Sequence, residues 1–199
     1  KKINYKREKI TLLDFNEKIC TNNYLYEIKN GRVYTDLIEH VAIIKDNFIL
    51  PDISYQQVHG EFKSIDFNKT LITGTPRLLK KFNGNVLSLV QGASGNNYFH
   101  FLFDVITKIK LCEQNINLNQ IDFFYLPGMT NWQKKILSVF KIYEDRIINS
   151  RKYRHIQADT LFALEHPWYK KSFVQNEINE IPNWIIYFLR EKFLSYEKK

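Results

Sequence analysis

The chain is poor in the residues that punctuate or staple a fold, with seven glycines, five prolines and two cysteines among 199 residues. Cys20 and Cys112 are too few and too far apart for a disulfide framework, and each reads as a buried free thiol. No run approaches the roughly 20 apolar residues that a membrane-spanning helix needs. The opening Lys1-Lys2-Ile3-Asn4-Tyr5-Lys6-Arg7 lacks the apolar core of a secretory signal, so a soluble, cytoplasmic chain is expected. Paired metal ligands are missing too. His40, His59, His100, His155 and His166 form no His-x-x-His or Glu-x-x-His pair and no Asp-x-Asp occurs, so no metal is expected. Ser94 lacks the Gly-x-Ser-x-Gly frame of a hydrolase nucleophile. The loop Gly92-Ala93-Ser94-Gly95 has neither the Lys-Ser/Thr of a phosphate cradle nor Gly-x-Gly-x-x-Gly, and reads first as a tight turn.

What the chain has is positive charge and rings. Twenty-nine Lys and Arg against 21 Asp and Glu give a net charge of +8. That balance favours anionic partners: nucleotides, acidic polysaccharide, a membrane surface or nucleic acid. Fifteen Phe, twelve Tyr and three Trp supply core and stacking platforms. Over residues 1–80 the pattern is short and β-like, with Asn30-Gly31 between alternating runs as a hairpin cue. Asn83-Gly84-Asn85 reads as a turn. Over 81–199 strands alternate with helices, the signature of a parallel α/β layer: strand 86–91, helix 97–113, strand 122–126, a helix capped by Thr130, short strands at 146–149, 153–158 and 161–164, and a terminal helix 182–196. The right-handed crossover rule puts the first two helices on one face of the sheet.

The richest stretch is Gln91 to Asp104, where a polar loop runs from a buried strand into an aromatic helix; ligands bind at such junctions in open α/β sheets. Asn96 or Asn97 can cap that helix. His100 and Asp104, four residues apart, share a face of it. Either can serve as a general base, or the two can simply bond to each other in a packed interface. Arg151-Lys152-Tyr153-Arg154-His155 is a basic cluster that reads as a solvated loop or as an anion site, and His166-Pro167-Trp168 ends a strand in a fixed turn with aromatic side chains.

The string Asn-Tyr-Phe-His-Phe-Leu-Phe-Asp at Asn97 to Asp104, followed by Leu161-Phe162-Ala163-Leu164-Glu165-His166-Pro167-Trp168, resembles the amino-terminal half of family 61 glycosyltransferases, which include bacterial capsular-polysaccharide enzymes. The resemblance implies a Rossmann-like α/β half of a GT-B glycosyltransferase preceded by a β-rich region, with the donor-binding domain beyond Lys199. It implies transfer of a sugar from a nucleotide-sugar co-substrate to a glycan acceptor, with inversion and without metal or further cofactor. Asp104 and His100 would be base and orienting partner, in an order left open. Asn97, Tyr98, Gly95, His166 and Trp168 would shape the acceptor pocket, and Arg151 and Arg154 would hold an anionic acceptor or the donor phosphates. Peripheral contact with an anionic membrane is the further partner expected. The rival reading is a binding module without catalysis, holding nucleic acid or an acidic glycan on basic and aromatic side chains.

Overall fold

The computed structural model describes residues 4–5, 23–37, 40–59, 61–91, 97–168, 178 and 181–194. Among them ten strands form one mixed sheet with helices, a strand-rich α/β fold. In the first part, β1 (Asn4–Tyr5), β2 (Leu25–Lys29), β3 (Arg32–Leu37), β4 (His40–Lys45) and β5 (Phe48–Ile49) are short strands, and β6 (Tyr55–Val58) pairs with β4 and with the small β7 (Glu61–Phe62). The β4–β5 turn takes left-handed backbone at Asp46, φ 54°. Asn30, at φ 55°, makes no hairpin, against the Asn30-Gly31 cue: β2 and β3 do not pair with each other but follow one another along the later strand β11 (His155–Leu164), both antiparallel to it, and the break between them lies opposite Ala158 and Asp159. After β7 a short helix, α1 (Lys69–Thr73), is capped by Asn68, whose side chain accepts from the Thr70 N–H.

The second part supplies four parallel strands: β8 (Lys80–Ser88), β9 (Phe123–Leu126), β10 (Ile147–Asn149) and β11 (His155–Leu164). From β8 the chain steps to β9 and then β10 on one side, and β11 returns to the other side of β8. In open α/β sheets ligands bind beyond the carboxyl ends of the strands where the order reverses, which here are the ends of β8 and β11. On its far edge β11 is antiparallel to both β2 and β3, so one sheet runs through both parts.

Three helices cover one face: α2, built from Tyr98–His100, Phe101–Ile106 and Thr107–Glu113; α3 (Asn131–Ser138); and α4 (Asn183–Leu194). Phe101, Val105 and Ile109 of α2, Leu137 of α3 and Phe188 of α4 share a core with Leu87, Phe124 and Leu164 of the sheet, so the crossover expectation holds. The opposite face carries a second core, in which Val41, Ile53 and Tyr55 join Val86, Tyr125 and Ile156.

Three further readings need correction. Asn83-Gly84-Asn85 is not a turn but a kinked part of β8, because the Asp159 and Asp122 carboxylates accept the N–H groups of Gly84 and Asn85 at 2.8 and 2.7 Å. The two short strands expected at 153–158 and 161–164 are one strand with a bulge at Asp159, where its register to β8 shifts. Helix α2 is not uniform: Phe101–Ile106 is π-helical, a wider turn that clusters at functional sites. Here the Thr107 hydroxyl donates to the carbonyl of Phe103. From Asp104 to Ile109 six successive residues are buried, so α2 is enclosed on a polar as well as an apolar side.

Candidate active site

The polar side of α2 faces the residues just past the carboxyl ends of β8 and β11, where the strand order reverses. Asp104 is fully buried, and both of its oxygens are engaged. Oδ2 lies 2.8 Å from Nδ1 of His100, one turn earlier on the helix. Oδ1 accepts the indole N–H of Trp168 at 2.8 Å and faces Nε2 of His166 at 3.5 Å. The two latter residues follow the end of β11, and the side-chain amide of Gln91, just past β8, closes on His166 Nε2 at 3.1 Å. Asn23 pins this turn by donating to the carbonyls of His166 and Pro167 at 3.4 and 3.1 Å.

Burial works against the charge on Asp104, but the imidazoles of His166 and His100 outweigh it and hold the carboxyl down at about 2. Burial also lowers His166, with Asp104 opposing, so at neutral pH that ring is uncharged. An ionised carboxylate only accepts. His100 Nδ1 must therefore carry its hydrogen toward Asp104, leaving the lone pair on Nε2. The His100 side chain is 13% exposed against 1% for Asp104, so His100 alone of the pair presents an edge to solvent.

Behind the pair, one more turn along α2, stands Lys108, 1% exposed. It makes no hydrogen bond among the described residues; its ammonium lies 4.7 Å from the centre of the Tyr55 ring. Burial lowers it to about 7, with Asp104 opposing. The Tyr55 hydroxyl donates to the carbonyl of Leu164 at 2.7 Å, which ties β6 to the end of β11. Nearby, the Tyr26 hydroxyl stands 3.3 Å from a carboxylate oxygen of both Asp52 and Glu165. Burial, then those two carboxylates, raises its pKa.

Of the residues singled out from the sequence, the structure brings His100, Asp104, His166 and Trp168 into one cluster. Asn97 caps α2, accepting the N–H of His100 at 3.2 Å. Tyr98 is 61% exposed and its ring meets Trp132 at 5.1 Å. Gly95 lies outside the described residues, with the rest of the 92–96 loop. Arg154 is not brought to this site. Arg154 immediately precedes β11, whose ten residues, at roughly 3.3 Å each, separate it from the His166 end. Arg151 sits in the turn after β10, with β9 between it and β8. Gln91, Tyr55 and Lys108 were not marked by the sequence reading. For Lys108 a signal existed in the four-residue spacing His100, Asp104, Lys108 on an otherwise apolar helix.

Comparison of the chain with family models, with curated proteins and with solved structures found no match.

Proposed function

We propose that this chain forms the acceptor side of a glycosyltransferase, a Rossmann-like half of GT-B type, in which His100 is the general base and Asp104 its orienting partner. The observation that carries the proposal is the division of labour in the pair. A buried carboxylate fixes Nδ1 of an imidazole whose other edge reaches solvent, at the strand-order reversal where open α/β sheets bind ligands. In the reaction, Nε2 takes the proton of an acceptor hydroxyl while that oxygen bonds to the anomeric carbon of a nucleotide-sugar. The bond from that carbon to the nucleotide phosphate breaks, and the phosphate leaves with its electrons. Attack from the opposite face inverts the sugar carbon. Asp104 stabilises the imidazolium without itself taking the proton, as its low pKa requires. The resemblance of the Asn97 to Asp104 string to family 61 glycosyltransferases supports the same reaction class. Arg154 has no part in it, standing at the opposite end of β11 from the pair.

The test is nucleotide release by the full-length protein, assayed over uridine, cytidine and guanosine sugars with and without glycan acceptors. Acceptor-dependent release is expected, and His100→Gln should lower it about 10²–10⁴-fold, the usual contribution of a positioned base. Release that ignores the acceptor, or survives His100→Gln undiminished, would refute the assignment.

A further inference from the structure

Between β7 and β8 the chain holds large apolar side chains outward on a pinned backbone. Asn68, fully buried, donates to the carbonyl of Val41 at 3.2 Å and to the Gln56 side chain at 2.9 Å. On either side of it Ile65 and Leu71 pack inward against the Tyr34, Ala42, Ile44 and Ile49 core. Their neighbours point the other way: Phe67 is 65% exposed, Ile72 78% and Leu78 95%. Leu78 is not on a loose end, because the carbonyl of Arg77 before it accepts from His155 Nδ1 at 3.0 Å and β8 begins two residues after it. Large apolar side chains held outward within one twelve-residue segment are candidates for an interaction surface.

The charges around them say what the partner is. Lys69, Lys80 and Lys81 are exposed and have no carboxylate partner among the described residues. From Lys63 to Lys81 the segment carries Lys63, Lys69, Arg77, Lys80 and Lys81 against Asp66 alone. Exposed apolar tips interspersed along one segment with unpaired lysines are complementary to an anionic lipid surface, where side chains enter the acyl boundary and lysines meet the headgroups.

We infer that the surface formed by Phe67, Ile72 and Leu78 with Lys69, Lys80 and Lys81 docks the protein on anionic membranes. The inference stands apart from the proposed reaction. It also fixes an orientation. Lys80 and Lys81 open β8, whereas the His100 site lies beyond its other end, so nine residues of strand, about 30 Å, hold the site away from the lipid. A docked molecule presents that site to water-borne substrates.

Sedimentation of the protein with phosphatidylcholine vesicles, with and without phosphatidylglycerol, tests this. Binding is expected only with phosphatidylglycerol, weakening with salt. Lys80→Gln/Lys81→Gln should weaken it about fivefold per lysine. Ile72→Ser/Leu78→Ser should abolish the part that survives high salt, with circular dichroism unchanged. Lys135→Gln/Lys141→Gln, an equal charge change on the helical layer, should matter far less. Absent or equal binding to the two vesicles would overturn the inference, as would a loss in the control pair matching that in the patch pair. Self-association without vesicle binding, removed by Ile72→Ser/Leu78→Ser, would assign the surface to a second copy and overturn it too.

Discussion

Replacing Lys108 by Met should stabilise the protein, and the gain should fade as pH rises. Met has nearly the same length and needs no hydrogen bond, whereas the lysine is buried and makes no hydrogen bond among the described residues, its ammonium lying over the Tyr55 ring. A shift from 10.5 to about 7 corresponds, at about 1.4 kcal/mol per unit, to a folding penalty of about 5 kcal/mol. The attraction of Asp104 is already contained in that shift; the Tyr55 ring returns at most about 2 kcal/mol, so the net gain from Met near neutral pH is about 3 kcal/mol. The sign follows from proton binding. Below pH 7 both folded and unfolded lysine are charged and the penalty is full. Between about 7 and 10.5 the unfolded chain keeps a proton that the folded chain sheds, so the native protein gains stability with pH. Other groups in the cluster stay out of this window: Asp104 titrates at about 2, His166 is lowered, and burial raises Tyr26 and Tyr55. Urea denaturation of both proteins from pH 6.5 to 9.5 should show the gap closing by about 3–4 kcal/mol at constant m. A Met variant less stable at neutral pH, or a gap independent of pH, would refute the electrostatic reading of this lysine.

Gly84→Ala should cost about 2–4 kcal/mol, since a Cβ there would meet the Asp122 carboxylate at 2.3 Å on a backbone with φ of +102°; urea midpoints measure it. Trp168→Phe keeps a ring but removes an N–H from Asp104, so a loss of about 1–3 kcal/mol is expected at neutral pH. Asp104, held at about 2 against 3.8, contributes about 2 kcal/mol above pH 4 that is lost as pH falls through 2; acid unfolding of Asp104→Asn should lack that component. Nitrogen NMR of the imidazoles at pH 8 should find His100 with hydrogen on Nδ1, and Asp104→Asn should release that preference.

Much of the site was readable in the chain because its signals are local. A strand, a break and an aromatic helix with polar residues four apart put His100 and Asp104 on one face, and Asn97 announced the cap. His166 and Trp168 were marked by their own turn, but their contact with Asp104 across 64 positions for Trp168 is set by how β11 returns beside β8. Lys108 was missed because a helical lysine is ordinarily solvated, and only the enclosure of α2 from both sides buries it. Tyr55 was missed because β6 is a short strand with two glutamines and no clear alternation. At Asn83-Gly84-Asn85 a strong local turn signal lost to two distant carboxylates that hold the backbone N–H groups in the sheet. Arg154 failed for a geometric reason: adjacency to a strand says nothing about which of its ends is near, and Arg154 stands at the opposite end of β11 from His166.

The central claim is that His100 removes the acceptor proton and Asp104 holds it in place. Its most direct test is steady-state transfer by the full-length protein with His100→Gln and Asp104→Asn, separating kcat from KM across pH. The account predicts kcat falling about 10²–10⁴-fold for His100→Gln with acceptor KM little changed, and a smaller loss for Asp104→Asn. A His100→Gln enzyme that keeps its kcat, while Asp104→Asn loses it, would contradict the assignment and leave Asp104 as the group that matters.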